Sequence, residues 1–148
     1  MLEQVEREVT LIIPMDPNME FAAAQTAKIL AELMDFERNH VEEIQLAIIE
    51  TCINAFEHSK SEDRRVLIKF IMGVDQLELQ ITDNGVGFRL DKVAPSKTKR
   101  SKDKGLQRRG WGIEIIRHMM DKVEVKSTKD GTTVTMIKKK HPKVNEIA

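Results

Sequence analysis

The chain has few of the features that mark secreted, membrane-spanning or nucleic-acid-binding proteins. Its 148 residues include one cysteine and no tyrosine, and no apolar run is long enough to cross a bilayer. The lone Cys52 excludes an internal disulfide and a cysteine-based zinc site, and its ordinary role is that of a small buried apolar residue. The 24 Lys and Arg residues balance 24 Asp and Glu residues, which removes any overall attraction to nucleic acid or to an anionic membrane. We therefore expect a cytoplasmic protein that binds neither directly.

The length and the distribution of apolar residues predict one folded domain. A chain of this size buries a core of its own without disulfides or metals, and we assign this domain to residues 1–140. Residues 1–8 carry acids where a signal peptide needs an apolar stretch. Residues 141–148 are expected to form a flexible tail. Residues 92–110 lose nearly all apolar content and are rich in lysine and arginine, which predicts a mobile segment.

Hydrophobic periodicity predicts three helices and five strands. The first helix is expected to start at Asp16-Pro17 and to bury an apolar stripe, which comprises Phe21, Ala24, Ala27, Leu30 and Leu33 or Met34. The expected elements in chain order are a strand at 5–13, helices at 17–34 and 39–58, strands at 66–72 and 77–81, a helix at 111–120, and strands at 123–127 and 132–138. This order predicts an α+β fold, a two-layer sandwich in which helices cover one face of a mixed, mostly antiparallel sheet.

The second predicted helix has an apolar side and a polar stripe. On a helical wheel of about 100° per residue, its core side comprises Val41, Ile44, Ile48, Cys52 and Ala55. The polar residues Glu50, Asn54, Glu57 and His58 are spaced at i, i+4, i+7 and i+8, so they share a face. Apolar residues border this stripe, so its carboxylates would be partly desolvated and would need partners.

The residue types of this stripe fit a site for a metal-bound phosphate. The Asn54 amide oxygen is a hard, neutral ligand that suits Mg²⁺. Glu50, one turn earlier, is placed to orient or deprotonate an attacking hydroxyl or water. Glu57 and His58 are further candidates to contact phosphate, although His58 near the helix end could instead interact with the helix dipole. The alternative interpretation is an ordinary solvated stripe.

An aspartate ends the predicted strand 77–81 on its apolar side. Asp83 follows Leu77, Leu79 and Ile81 at a spacing of two, so it emerges on the covered face, where an acid needs a partner. The amino group of an adenine is a suitable donor, and Gly85 and Gly87 would allow a flat ring to approach the backbone closely. The alternative interpretation is an Asp-Asn-Gly turn.

A second group of glycines precedes the third predicted helix. Gly105, Gly110 and Gly112 bracket two arginines, Arg108 and Arg109, directly before the helix begins. Amides at a helix N-terminus, with glycines that allow close approach, form an anion site suited to phosphates. The spacing matches neither the dinucleotide fingerprint nor the phosphate loop that ends in Gly-Lys-Ser/Thr.

Three motifs in this order resemble the GHKL ATP-binding superfamily, which includes histidine kinase catalytic domains, gyrase-type ATPases and bacterial anti-sigma factor serine kinases. The first motif is ETCINAFEH at 50–58, the second is DNGVGF at 83–88, and the third is GWGI at 110–113 with Gly105 before it. The resemblance spans nearly the whole chain. The bare domain, its short first strand and the ending GTTV at 131–134 look most like the anti-sigma kinases.

The resemblance implies a Bergerat-type ATP-binding fold and a protein serine/threonine kinase that uses ATP and Mg²⁺. It implies that Glu50 is the catalytic base, Asn54 the Mg²⁺ ligand, Asp83 the adenine reader and Thr133 a helper at adenine. It makes the mobile segment 92–110 a lid over the phosphates. The residues expected to bind nucleotide are Asn54, Glu57, His58, Asp83, Gly85, Gly87, Gly105, Arg109, Gly110, Trp111, Gly112 and Thr133.

The same resemblance implies protein partners. These are a STAS-type anti-anti-sigma protein as phosphoacceptor and a sigma factor as binding partner, with a homodimer as the active form. Two other interpretations stay open at this point. One is a nucleotide-gated binding module that rarely turns over, and the other is a detached histidine-kinase-like domain that phosphorylates a histidine.

Overall fold

The structure is a computed structural model that describes residues 7–59, 61–84 and 114–140. The described elements follow the predicted order. They are β1 (Arg7–Pro14), α1 (Met19–Leu33), α2 (Arg38–His58), β2 (Arg65–Met72), β3 (Gln76–Asp83), β4 (Lys122–Thr128) and β5 (Gly131–Lys139), with a helical stretch α3 at 114–119 between β3 and β4.

The five strands form one sheet in the order β1-β2-β3-β5-β4. Each pair of neighbouring strands is antiparallel, so the α+β sandwich with a mostly antiparallel sheet is confirmed. The two predicted hairpins are β2–β3 and β4–β5. The last strand returns to the middle of the sheet, where Met136 of β5 is opposite Leu79 of β3, and β4 is left at the edge.

One face of the sheet carries the core. On β2, Val66, Ile68 and Phe70 are fully buried, and their partners on β3 across the ladder include Ile81 and Leu79. The residues between them are only partly buried, as expected when alternate side chains point to opposite faces. Helices α1 and α2 pack against the buried face, which we call the inner face. The other is the outer face.

Helix α1 packs mainly through small residues. Its buried positions include four alanines, Ala23, Ala24, Ala27 and Ala31. Phe21, which was expected in the buried stripe, is 54% exposed, so that part of the prediction is wrong. Of the alternatives Leu33 and Met34, Met34 is buried and Leu33 is 73% exposed. Small side chains let two helices approach closely, and this close contact turns the large residues outward.

The start of α1 also differs from the prediction. The helix begins at Met19 after Asn18, whose φ of 79° is left-handed, and the Met19 N–H donates to the Asp16 carbonyl (3.1 Å). Asp16 and Pro17 therefore lie in a turn before the helix rather than at its cap and first position.

Helix α2 has the predicted core side. Val41, Ile44, Ile48 and Cys52 are at most 4% exposed. Among the described residues, no helix is long and apolar enough to span a membrane. The predicted lid at 92–110 and the predicted tail at 141–148 lie outside the described residues.

Candidate functional site

The end of α2 and the end of β3 meet at a buried carboxylate. Asp83 is 4% exposed and occupies the inner face in line with Leu77, Leu79 and Ile81, as the spacing predicts. Directly after α2, the Ser59 hydroxyl donates a hydrogen bond to Asp83 Oδ1 (3.1 Å). A buried carboxylate needs such donors, so the contact fixes Asp83 against the helix that carries Glu50 and Asn54.

Ser59 and residues 61–64, which follow α2, are held to this corner by several hydrogen bonds. The Ser61 N–H donates to Ser59 Oγ (3.1 Å). The Arg64 guanidinium donates to the carbonyls of Ser59 and Phe56 (3.2 and 3.3 Å), which are among the unsatisfied carbonyls at the end of α2. The arginine therefore caps the helix and holds Ser59 beneath Asp83.

An exposed acid joins this loop to the residue after Asp83. Asp63 accepts hydrogen bonds from the Arg65 N–H (3.2 Å) and from the Asn84 side chain (3.5 Å). Desolvation alone would raise the pKa of Asp63, but these hydrogen bonds and the charge of Arg65 lower it below its ordinary value. Asp63 therefore stays ionised at neutral pH and tethers Asn84 to the loop.

The orientation of α2 is set by a threonine in its middle. Thr51 is buried, and its hydroxyl donates to the Ala47 carbonyl (2.8 Å) and contacts Met136 Sδ (3.5 Å) on β5. This places Thr51 over the inner face. Asn54 is three residues later, close to the same side, and is 4% exposed, which is unusual for an asparagine.

The other residues of the stripe are more exposed than Asn54. Glu50 and His58 are partly buried and Glu57 is exposed. Each of the three has an interaction within the protein. The stripe is therefore graded rather than uniformly solvated. The Asn54 side chain is buried, Glu50 is partly buried and Glu57 is exposed.

The structure separates the two threonines that follow Gly131. Thr132 pairs with Asp83 across the β3–β5 ladder and is 3% exposed, so it lies on the inner face beside the carboxylate. Thr133 pairs with Thr82 and shares a hydrogen bond with its hydroxyl (3.0 Å). It lines a groove on the outer face with Gln80 and Lys126. Thr132 therefore lies next to Asp83, whereas Thr133, the expected helper at adenine, lies on the outer face.

A glycine allows this close approach. Gly131 has a φ of 144°, and a Cβ placed there would lie 2.0 Å from the Asp83 carbonyl oxygen and 2.9 Å from Asn84 Cα. Both are backbone atoms, which cannot rotate away. Glycine at 131 therefore fixes how closely the start of β5 lies beside Asp83.

The donor set fits a magnesium ion held mostly by a nucleotide. No group of three or more His, Cys, Asp or Glu within 7–59, 61–84 and 114–140 could hold a metal by itself. Mg²⁺ commonly binds through one or two protein oxygens together with phosphates and water. The enclosed amide of Asn54 and the nearby Glu50 suit that mode, whereas a metal cage made of protein side chains alone would not fit.

The remaining predicted nucleotide-binding residues lie outside the described residues. They are Gly85, Gly87, Gly105, Arg109, Gly110, Trp111 and Gly112. The described part of the site is therefore the wall made by α2, Ser59, residues 61–64 and the ends of β3 and β5.

Two residues of this wall were missed by the sequence analysis. Ser59 was not among the expected site residues, although its position directly after the helix stripe was a usable signal. Thr132 was passed over for its neighbour. The period-two rule that placed Asp83 on the inner face could have placed Thr132 there too, had the pairing of β5 with β3 been known.

Comparisons with known proteins agree with this architecture. Residues 14–138 match the family described as "Histidine kinase-like ATPase domain". Among relatives, "Serine-protein kinase RsbW" of Bacillus pumilus is 28% identical over 138 residues, which cover 88% of this chain and 84% of that protein. The protein of the same name from Bacillus cereus strain Q1 is 29% identical over 143 residues, which cover 93% and 88% of the two chains.

A solved structure has a similar fold. The RsbU and RsbW domains of Rv1364c from Mycobacterium tuberculosis superpose with a TM-score of 0.67 at 14% identity, over 90% of this chain and 32% of that one. This likeness concerns the fold alone. The family match covers most of the chain, and it includes α2 and the ends of β3 and β5. The chain therefore belongs to the histidine kinase-like ATPase domains, the GHKL superfamily that its three motifs resemble.

Proposed function

We propose that this chain is an ATP-dependent serine/threonine protein kinase of the anti-sigma factor type. It binds ATP with Mg²⁺, phosphorylates a STAS-type anti-anti-sigma protein and binds a sigma factor in the cytoplasm, as a homodimer. One observation carries the proposal: a nearly inaccessible amide, Asn54, and a nearly inaccessible carboxylate, Asp83, lie in the layer between α2 and the sheet, with Glu50 one helical turn before Asn54.

In this proposal each side chain has a separate role. Asp83 accepts a hydrogen bond from the adenine amino group, with Thr132 beside it in place of the expected Thr133. Asn54 supplies an oxygen ligand to Mg²⁺. When bound, the ion neutralises phosphate charge that develops during transfer. Glu57, which is exposed, and His58, which is partly buried, are assigned to the phosphate side.

Glu50 is the proposed general base. It takes the proton of a serine hydroxyl as the hydroxyl oxygen bonds to the γ-phosphorus and the bond to the β–γ bridging oxygen breaks, which releases ADP. The half-buried position of Glu50 supports this role, because a carboxylate near the surface is reachable by a protein substrate. Catalysis otherwise rests on positioning and electrostatics.

The names of the relatives favour a hydroxyl as the acceptor. The relatives from Bacillus are serine-protein kinases, and this supports transfer to serine over transfer to histidine. The two chemistries differ in a simple property, since phosphoserine survives acid and phosphohistidine does not. Acid treatment of the phosphorylated partner therefore separates them.

The test is transfer of labelled phosphate from ATP to a STAS-type partner by wild type and by Glu50→Ala. We expect the variant to bind ATP with the affinity of wild type and to lose transfer by at least about a hundredfold, the usual contribution of a general base. Glu42→Ala is the matched control, because Glu42 is an exposed acid on the same helix (66% exposed). It should transfer normally. Equal loss of binding and transfer in Glu50→Ala would refute the base assignment.

A further inference from the structure

We propose that Ser59 is a positioning residue that aims Asp83 at the amino group of adenine and so contributes to the choice of ATP over other nucleotides. This inference rests on the proposed function, because it concerns how the same site recognises its base. Ser59 is 6% exposed and lies between the last turn of α2 and the carboxylate.

The hydrogen bonds around Ser59 have a fixed direction. The Ser61 N–H can only donate, so Ser59 Oγ must accept that bond (3.1 Å). The Ser59 hydroxyl hydrogen is then left for Asp83 Oδ1 (3.1 Å), and an ionised carboxylate can only accept. The hydrogen bonds therefore run from the Ser61 amide through Ser59 to Asp83, where Oδ1 accepts.

The backbone of Ser59 is held independently of its hydroxyl. Its N–H donates to the Ala55 carbonyl (2.9 Å), and its carbonyl accepts from Arg64 (3.2 Å). The Arg64 carbonyl in turn accepts a hydrogen bond from the Met15 N–H (2.9 Å). Removing the hydroxyl leaves these backbone bonds in place and takes away two contacts, the bond to Asp83 and the acceptor of the Ser61 N–H. A comparison of nucleotides that differ only at the 6-amino group then isolates the contact to Asp83.

A carboxylate oxygen that accepts hydrogen bonds favours a base with a donor at the facing position. Adenine presents a 6-amino donor, whereas guanine and hypoxanthine present a carbonyl at the same position, which would face an acceptor. If Ser59 restrains the Asp83 side chain, its loss matters for ligands that use the 6-amino group. It matters far less for a purine that has no substituent there.

The experiment compares two nucleotides on one variant. The probes are ATP and purine riboside triphosphate, which lacks the 6-amino group, and the measurement is the dissociation constant by calorimetry with Mg²⁺ present. For Ser59→Ala we expect affinity for ATP to fall about fivefold, the usual effect of one lost hydrogen bond. Affinity for purine riboside triphosphate should change less than about twofold. Partial unfolding would lower both affinities equally, so the difference between them is insensitive to stability.

Ser61→Ala is the matched control. Ser61 is as buried as Ser59 (5% and 6% exposed), but its hydroxyl makes no hydrogen bond to Asp83, and the variant keeps the N–H that Ser59 accepts. Its ratio of affinities for the two nucleotides should equal that of wild type. An unchanged ratio in Ser59→Ala, or an equal change in Ser61→Ala, would overturn the inference. Wild type that fails to bind ATP would instead overturn the proposed function.

Discussion

The polar side of α2 has different bonding partners at its two ends. Glu43, Glu50 and Asn54 are spaced at i, i+7 and i+11, so they follow one side of the helix. At the first end, Lys138 Nζ contacts Glu43 Oε1 (2.6 Å) and donates to the Met119 carbonyl at the end of α3. At the other end, the carboxylate of Asp83 accepts from the neutral hydroxyl of Ser59.

This difference distinguishes polar side chains that stabilise the fold from polar side chains that are suited to bind a ligand. The Lys138 side chain is 7% exposed, and its charge is matched by an acid of the same chain and by the negative end of a helix. The charge of Lys138 is therefore satisfied within the chain, and its contacts join α2, α3 and β5. At the Asp83 corner, hydroxyls and a glycine shape the space beside a carboxylate and an enclosed amide. We expect substitutions at the first corner to change stability and those at the second to change nucleotide binding as well.

The largest effect is expected from Gly131→Ala at the Asp83 corner. The new methyl group would overlap the backbone of Asp83 and Asn84 at a φ that other residues rarely adopt, so β3 and β5 must move apart. We expect a loss of about 3 kcal/mol in the free energy of unfolding, measured by urea denaturation. ATP binding should weaken beyond what the unfolded fraction explains.

Gly73→Ala is the control for this prediction. Its Cβ would meet the Gln76 carbonyl oxygen at 3.3 Å, a contact that a small shift relieves, in a turn remote from Asp83. We expect less than about 1 kcal/mol of destabilisation and unchanged nucleotide affinity. If both glycine variants behaved alike, the close approach of Gly131 to Asp83 would have no special importance.

An intermediate effect is expected from breaking the ion pair at the first corner. Glu43→Ala strands the buried ammonium of Lys138, and because Glu43 is 34% exposed we expect about 2 kcal/mol of destabilisation rather than the larger cost of a fully buried pair. Lys138→Met should cost less, since Glu43 can be solvated and the methionine fills the space. Thermal and urea unfolding measure both.

The exposed pair Arg38–Glu42 supplies the reference for this experiment. Its side chains are 87% and 66% exposed, so Glu42→Ala should cost no more than about 0.5 kcal/mol. Neither Glu43→Ala nor Lys138→Met should alter the ratio of affinities for ATP and purine riboside triphosphate. A changed ratio would mean that the two corners are coupled.

Local patterns predicted most of the fold. The spacing of Val41, Ile44 and Ile48 placed the core side of α2, and the alternation of β3 placed Asp83 on the inner face. These signals depend on neighbours in sequence. They could not show that β5 would pair with β3, because that pairing joins strands far apart in the chain.

The features that the sequence analysis did not place share this origin. Without the register between β3 and β5, nothing in GTTV at 131–134 showed which threonine would lie beside Asp83, and a shift of one residue exchanges the two faces. The rotation of α1 depended on the close contact of its alanines with α2, so the exposure of Phe21 could not be read from periodicity alone. Roles for Glu50 and Asn54 came from residue chemistry and from the resemblance, and they stay predictions.

A last prediction concerns solvent access to the layer between the two corners, where Cys52 is fully buried. Burial, and to a lesser degree the charge of Glu20, raises the pKa of the Cys52 thiol from 9.0 to about 12. At pH 8 the folded protein then has about a thousandfold less thiolate than the unfolded chain. We expect a disulfide reagent such as DTNB to label native protein at least that much more slowly than protein in urea. Because burial is the larger cause, Glu20→Gln should speed labelling far less than urea does. Rapid labelling of the native protein would mean that solvent reaches the layer between the two corners. The contrast between the Lys138–Glu43 corner and the Asp83 corner would then fail.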